Sequence, residues 1–433
     1  MFKSLMRRLG SRTKVCFRVT FADGESWQNH DGTPLVHLSF KTVAAQWRVV
    51  AYGHVGFLEG YFDELIDVEG DLGQVFRIAF QSRFDRKPSP LVWLRNQWHE
   101  WRYSNRRIAQ AKANAQFHYA HGADFYGYWL DRDLMMYTCS YWKEGTQTVE
   151  QAQRNKVEHV CRKLRLKAGE SVVDIGSGFG GFMFHAAKHH GVNVCGINTT
   201  TEQVDWLREE IVSRGMSKRL ESREADFRQV HAQFDKVVSI GTLEHAGRDQ
   251  LKEVVQAHAD FLKPGGLGML HFIGHVGVRN TEYYIREHVF PGGWIPSLSE
   301  TINAMEECGL EVVDIENLRR HYALTLDAWT ERFDRHWSEI QAIDPIKYNE
   351  RFRRVWRTYL VSCAEMFRSP FARTHLFQIV FSKGNITKDN YPMSRAHLYD
   401  DDYWQRTSSG TQSALSGETS ALTQPPPVRP ASV

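Results

Sequence analysis

The sequence predicts an α/β protein, a doubly wound sheet preceded by a small α+β unit. Three observations predict it. Strand-like and helix-like segments alternate from about residue 150. A glycine-rich turn, Asp174-Ile175-Gly176-Ser177-Gly178-Phe179-Gly180-Gly181, joins the first of those strands to the first helix. Before that region, short period-two runs are separated by Gly/Asp clusters, which is the mark of strands and turns.

In chain order, KVCFRVTF, PLVHLSF and QWRVVAYG alternate in places and are expected as strands, with ADGES and NHDGTP as turns. FLEGYFDELIDVEGDLGQVFRIAF is expected as mixed helix and loop. Leu91, Leu94, Trp98, Trp101 and Ile108 then fall at helical spacing on one face. ESVVDIG, NVCGIN, FDKVVSIG and LGMLHFIG are expected as strands. FGGFMFHAAKHHG, EQVDWLREEIVSRG and DQLKEVVQAHADFLKPGG are expected as the helices between them. Residues 297–340 and 346–368 are expected to be helical, and HLFQIVFSKG is a late strand. SSGTQSALSGETSALTQPPPVRPASV has no aromatic and two charged residues, so it reads as a disordered tail. The expected domains are 1–88 (α+β), 89–116 (a basic, Trp-rich linker helix), 117–404 (the catalytic α/β domain) and 405–433 (the tail).

The 433 residues carry 54 Lys+Arg against 51 Asp+Glu, so a uniformly basic, nucleic-acid-coating surface is excluded. The charge is uneven, however: residues 83–115 hold eight basic and two acidic side chains. No apolar run is long enough for a membrane-spanning helix, and the first 14 residues lack the apolar stretch of a secretory signal. The six cysteines are scattered with no CxxC pair, which points to reduced thiols in a cytoplasmic protein and to no metal site.

Glycines at the strand-to-helix turn let the backbone approach a ligand closely. The turn lacks the Lys-Ser/Thr of a phosphate loop, and its DxGxGxG form resembles the first motif of class I S-adenosylmethionine methyltransferases. A second segment, Ile240 to Gly247, ends another strand with Glu244-His245, where strand ends line the ligand crevice. That pair could orient a base or bind a polar group, or Glu244 could simply favour a helix start.

Taken together, FLEGYFDELIDVEGDL, FYGYWLDRDLMMYTCSYW, VVDIGSGFGG, INTTTEQ, IGTLEHAG, LHFIG, FPGGWIPS and HYALTLDAWTERF resemble, in order and spacing, the cyclopropane-fatty-acyl-phospholipid synthase family. The family is related to the mycolic acid cyclopropane synthases, and the resemblance covers about residues 15–385. It implies a class I methyltransferase, Rossmann-like fold. It also implies S-adenosylmethionine binding by Tyr137, Thr138, Asp174, Gly176, Gly178, Asn198, Thr199, Gln203, Asp226 and Phe227. A bicarbonate ion beside the reacting methyl is implied at Cys139, Glu244, His271, Ile273 (through its backbone) and Tyr322.

The implied reaction is methyl transfer to the double bond of an unsaturated phospholipid acyl chain, followed by proton loss to close a cyclopropane. Methyl- or methylene-branching without ring closure, and a non-catalytic lipid-binding role, remain as alternatives. Ala120 and Ala123 stand where the family has polar residues, Thr138 where it has Ser and Ser177 where it has Cys. The implied setting is peripheral, on the cytoplasmic face of an anionic membrane, with no nucleic acid partner and with a homodimer as an open option. Residues 1–14 and 89–110 have the amphipathic, basic character of interfacial helices; the alternatives are a solvated basic terminus for 1–14 and a linker helix packed on the catalytic domain for 89–110.

Overall fold

The computed structural model describes residues 1–84 and 89–400. The described residues divide into two units, Met1–Asn385 and a second that begins at Ile386. In the described part of the second unit, one short helix spans Ala396–Tyr399. The expected tail at 405–433, and Arg86 and Lys87 of the basic segment, lie outside the described residues.

The first unit opens with α1 (Phe2–Gly10), β1 (Phe17–Thr20), β2 (Ser26–Gln28), β3 (Val36–Phe40), α2 (Val43–Phe62), β4 (Ile66–Gly70) and α3 (Leu72–Ser82). The four strands make one sheet in the order β2-β1-β3-β4. Val36, Leu38 and Phe40 alternate into its core. Two expectations are corrected here. QWRVVAYG lies within α2, because Thr42 caps that helix by accepting from the Ala45 amide, and Ala45 and Val49 are buried at helical spacing. The second concerns α1, whose apolar face is not offered to a membrane. Phe2, Met6 and Leu9 are buried, Phe2 packs on Phe21 and Phe40, and Lys3 is held by Asp23 and Glu25.

Next come α4 (Pro90–Arg102), α5 (Ile108–Tyr119) and α6 (Gly122–Gly127). Ser89 caps α4 and Pro90 opens it. The single expected linker helix is therefore two helices broken at 103–107. The break is fixed by Asn105, whose side chain donates to the carbonyls of His245 and Gly292. The expected apolar face exists but is unburied: Leu94, Trp98 and Trp101 are 60%, 57% and 75% exposed.

The catalytic part contains α7 (Val149–Leu164), β5 (Ser171–Ile175), α8 (Gly181–His190), β6 (Asn193–Asn198), α9 (Thr201–Ser213), β7 (Leu220–Glu224), β8 (Phe234–Ile240), α10 (Leu251–Phe261) and β9 (Leu262–His275). It continues with α11 (Tyr283–His288), α12 (Leu298–Glu307), β10 (Leu310–Asn317), α13 (Arg319–Arg335), α14 (Trp337–Ile343), α15 (Glu350–Arg368) and β11 (Thr374–Lys383). Its sheet has seven strands in the order β10-β11-β9-β8-β5-β6-β7. β11 pairs antiparallel with both neighbours, and the other pairings are parallel. This is the doubly wound, Rossmann-like sheet that the sequence predicts. The chain order reverses beside β5, so the crevice for a ligand lies at the carboxyl ends of β5, β6 and β8.

Within 297–340, expected to be helical throughout, β10 is a strand. Gly309 at φ +70° ends α12, and a register shift between Val312 and Asp314 breaks the alternation that would have marked the strand. β7, an edge strand of sequence LESRE, carries too little apolar pattern to have been read.

Candidate active site

Two cavities meet inside the first unit. The smaller, of about 190 Å³, lies at the ends of β5, β6 and β8. The larger, of about 730 Å³, is within the range of about 300–1,000 Å³ usual for ligand sites. Tyr119, Tyr137, Thr138, Gly241 and His245 line both and so form their common wall.

All ten residues implied in cofactor binding line the smaller cavity. The backbone turn explains its floor. Gly176 sits at φ +75°, and a Cβ there would strike the Thr242 methyl at 1.9 Å. Gly178 sits at φ +53° with open space where its Cβ would be, so the loop presents bare backbone to the cavity. Ser177 Oγ is buried without a hydrogen-bond partner, a donor left for a ligand. At the end of β6, Asn198 donates to Gln203 Oε1 at 2.9 Å and accepts from the Thr200 amide, so the two amide side chains form one fixed polar edge. Asp226 is held by Arg228 through Nε and Nη2, both at 2.7 Å. Burial raises the Asp174 carboxyl to about 7, with Lys156 opposing the shift. The residues present thus fit a ligand with polar groups spread along a glycine-rich cradle.

Several supports of this cavity were not read from the sequence. α7 supplies Lys156, fully buried, whose Nζ donates to Thr138 Oγ1 at 2.8 Å. It also supplies Gln153, whose amide donates to the carbonyls of Met136 and Thr138. Burial lowers the Lys156 ammonium to about 7. These contacts fix the Tyr137–Thr138 segment from behind.

Of the five residues implied at the ion site, Glu244, Ile273 and Tyr322 line the larger cavity, whereas Cys139 and His271 line neither. Glu244 stands just beyond β8, and its Oε1 accepts from the Ile273 amide on β9 at 2.6 Å. The Ile273 amide is thereby committed to positioning the carboxylate. Glu244 Oε2 is buried with no partner, and burial raises the carboxyl to about 7. His271 lies two residues before Ile273, on the same face of β9. A buried relay sets its tautomer: Lys163 donates to Gln378 Oε1 at 2.7 Å, and Gln378 Nε2 donates to His271 Nδ1 at 3.0 Å. The proton is therefore on Nε2, which has no partner. Burial keeps this imidazole neutral. Tyr322 is raised well above the usual phenol range by burial, with Tyr359, Cys139, Cys363 and Glu244 adding to the effect. Cys139 is fully buried, and its thiol is pushed up by that burial, which suits a packing residue better than a nucleophile.

The larger cavity is mostly apolar, and the amino-terminal helices and sheet supply much of its wall through Leu9, Leu38, Phe57 and Ile78. Aromatic side chains also line it, among them Tyr119, Tyr137, Tyr284, Phe290 and Tyr359. The Tyr137 hydroxyl donates to that of Tyr359 at 2.9 Å, and Tyr119 lies 2.8 Å from His245 Nε2. Trp93 of α4 also lines the cavity while remaining 54% exposed, so one wall reaches the outer Trp-bearing face. Ala120 and Ala123, the departures from the family pattern, line neither cavity.

Known proteins resemble this chain in sequence and in fold. The family model for mycolic acid cyclopropane synthetase matches residues 106–379. A probable fatty acid methyltransferase of Pseudomonas putida is 35% identical over 351 residues, covering 79% of this chain and 85% of that one. The cyclopropane-fatty-acyl-phospholipid synthase of Escherichia coli (strain K12) is 35% identical over 268 residues, 62% of this chain and 67% of that one. Among solved structures, mycolic acid cyclopropane synthase CmaA1, complexed with SAH and CTAB, is 26% identical with a TM-score of 0.58, covering 63% of this chain and 98% of that one. The fold, the two joined cavities and a match over most of the chain agree: the chain belongs to the mycolic acid cyclopropane synthetase family.

Proposed function

We propose that the protein uses S-adenosylmethionine to methylate the double bond of an unsaturated phospholipid acyl chain and closes a cyclopropane ring there, with bicarbonate as the base. The observation that carries this reading is the shared wall between a glycine-cradled cavity with a fixed polar edge at Asn198 and Gln203 and a larger, mostly apolar one. When bound, S-adenosylmethionine supplies an electrophilic methyl group, and a bicarbonate ion supplies a base for the proton lost on ring closure. Gly176, Gly178, Asn198, Gln203 and Asp226 would hold the first. The unpartnered His271 Nε2–H and Glu244 Oε2 would hold the second, the one donating and the other accepting a hydrogen bond.

Tyr119, Tyr137, Phe290 and Tyr359 present aromatic faces where positive charge develops on the acyl chain. The apolar wall excludes water that would trap that charge. Glu244, its carboxyl raised to about 7, can take or release a proton at Oε2 near neutral pH.

The working position we infer is peripheral, on the cytoplasmic face of a membrane. No helix among the described residues is long and apolar enough to cross one. The exposed Trp98 and Trp101, with Trp93 at the cavity wall, form an apolar face suited to the interface. Arg95, Arg106 and Lys112 of the basic segment are ion-paired to Glu59, Asp249 and Glu224, so attachment would rest on the aromatic face more than on charge. A second reading, branching of a fatty acyl chain without ring closure, is favoured by the name of the Pseudomonas putida relative. Incubation with methyl-labelled S-adenosylmethionine and unsaturated phospholipid vesicles tests both readings. Label in the acyl chains is expected, and none in that fraction would exclude both.

A further inference from the structure

Outside both cavities, α7 and α8 bring together a set of side chains that the proposed reaction does not use. Glu158 and Cys161 lie one turn apart on α7, and His185 and His190 lie on α8. One ligand atom from each of the four lies within 4.8 Å of all the others. The two imidazoles converge on a single oxygen: His185 Nε2 is 3.1 Å and His190 Nε2 3.0 Å from Glu158 Oε2. The other carboxylate oxygen accepts from Arg162 Nε at 3.0 Å. Cys161 is fully buried beneath them.

We propose that Glu158, Cys161, His185 and His190 bind one zinc-type divalent cation as a structural site. Two imidazole nitrogens, one thiolate and one carboxylate oxygen are a donor set that zinc favours, and four protein ligands leave no open position for chemistry. Tetrahedral zinc, with bonds of about 2.0–2.3 Å, spaces its donors roughly 3.3–3.8 Å apart. The cluster therefore needs to contract by about 1 Å, which side-chain rotation can supply. Binding would displace the thiol proton, while each imidazole would ligate through Nε2 as the neutral ring with its proton on Nδ1, so uptake would release the thiol proton. Arg162 can keep its oxygen while the cation takes the other.

The position gives the site a role. α8 starts at Gly181, immediately after the glycine-rich turn. α7 carries Gln153 and Lys156, which hold the Tyr137–Thr138 segment. A cation between the two helices would pin together both walls of the smaller cavity without touching a substrate. The sequence hides the site because its ligands come in two pairs 24 residues or more apart, without a CxxC or a zinc-finger histidine spacing.

The test uses the full chain freed of metal by chelator and titrated with zinc and with cobalt(II). One zinc per chain, a rise in Tm of a few degrees and a cobalt spectrum with a thiolate charge-transfer band are expected. Loss of a partner that only orients a ligand costs about 10–100-fold in metal affinity, so His190→Ala should weaken binding by at least about tenfold. Cys161→Ala should remove the charge-transfer band, while His189→Ala, beside the cluster, should change neither. Should His190→Ala fail to fold, the wild-type cobalt spectrum decides by itself. Absence of stoichiometric uptake, a cobalt spectrum without the thiolate band, or zinc affinity unchanged in His190→Ala would overturn the proposal.

Discussion

Replacing Glu244 by Gln should slow turnover and, at alkaline pH, strengthen the fold. The carboxyl is buried, its Oε2 is unpartnered, and it is raised to about 7 from an ordinary value of 4.5. Between those two values the folded chain keeps a proton that the unfolded chain has released. Stability attached to this group is therefore full below pH 4.5 and is lost as pH rises through about 7. Above that window the loss amounts to about 3 kcal/mol. Gln can still accept from the Ile273 amide but carries no charge, so the variant escapes the loss. Urea unfolding of both proteins at about pH 4.5 and about pH 8.5, in bicarbonate-free buffer, would show the difference. The variant should match wild type at the lower pH and exceed it by up to about 3 kcal/mol at the higher. Methyl transfer to vesicles should fall by about 10²-fold or more, the usual scale for loss of a proton-handling group. Cofactor affinity should hold, because Glu244 does not line the smaller cavity. Undiminished turnover, or a stability difference that ignores pH, would refute the reasoning.

Four further outcomes follow from the same geometry. Gln378→Leu removes the donor that fixes the His271 tautomer, so turnover should drop at least tenfold (about 1.4 kcal/mol, the scale of one buried hydrogen bond) with KM for the cofactor little changed in steady-state kinetics. Gly178→Val places a side chain in the open cradle at φ +53°, and calorimetry should show cofactor binding lost while circular dichroism shows the fold retained. Trp98→Ala combined with Trp101→Ala should release the protein from sedimented vesicles yet preserve turnover of detergent-dispersed lipid. Because Arg95, Arg106 and Lys112 are paired within the chain, raising salt should weaken wild-type vesicle binding only modestly.

The catalytic sheet was legible because its strands are short, mostly apolar runs, VVDI, VVSI and LHFI, each broken by one polar residue and followed by glycine, and buried parallel strands read that way. QWRVVAYG misled because Val49 and Val50 also suit a strand, and only the cap at Thr42 and the burial of Ala45 with Val49 settle it as a helix. β10 was hidden by its irregular register at Val312 and Asp314. The glycine loop and Glu244 were visible because backbone turns and strand-end acids occupy fixed places in such sheets. Lys156, Gln153 and Gln378 were not, since each acts from another element through a contact that no local pattern records. The apolar cavity was equally hidden: Leu9 and Ile78 look like ordinary core residues until the fold brings them into one cavity lining with Tyr322 and Leu326.

The central claim is that methyl transfer ends in a ring on a membrane lipid. Its most direct test is to incubate the full chain with methyl-deuterated S-adenosylmethionine and vesicles of unsaturated anionic phospholipid, then to fragment the recovered acyl chains by mass spectrometry. The account predicts that the labelled carbon bridges the former double bond, has lost one deuteron and resists mild hydrogenation. An acyl fraction without label, or a branch that keeps every deuteron, would contradict it.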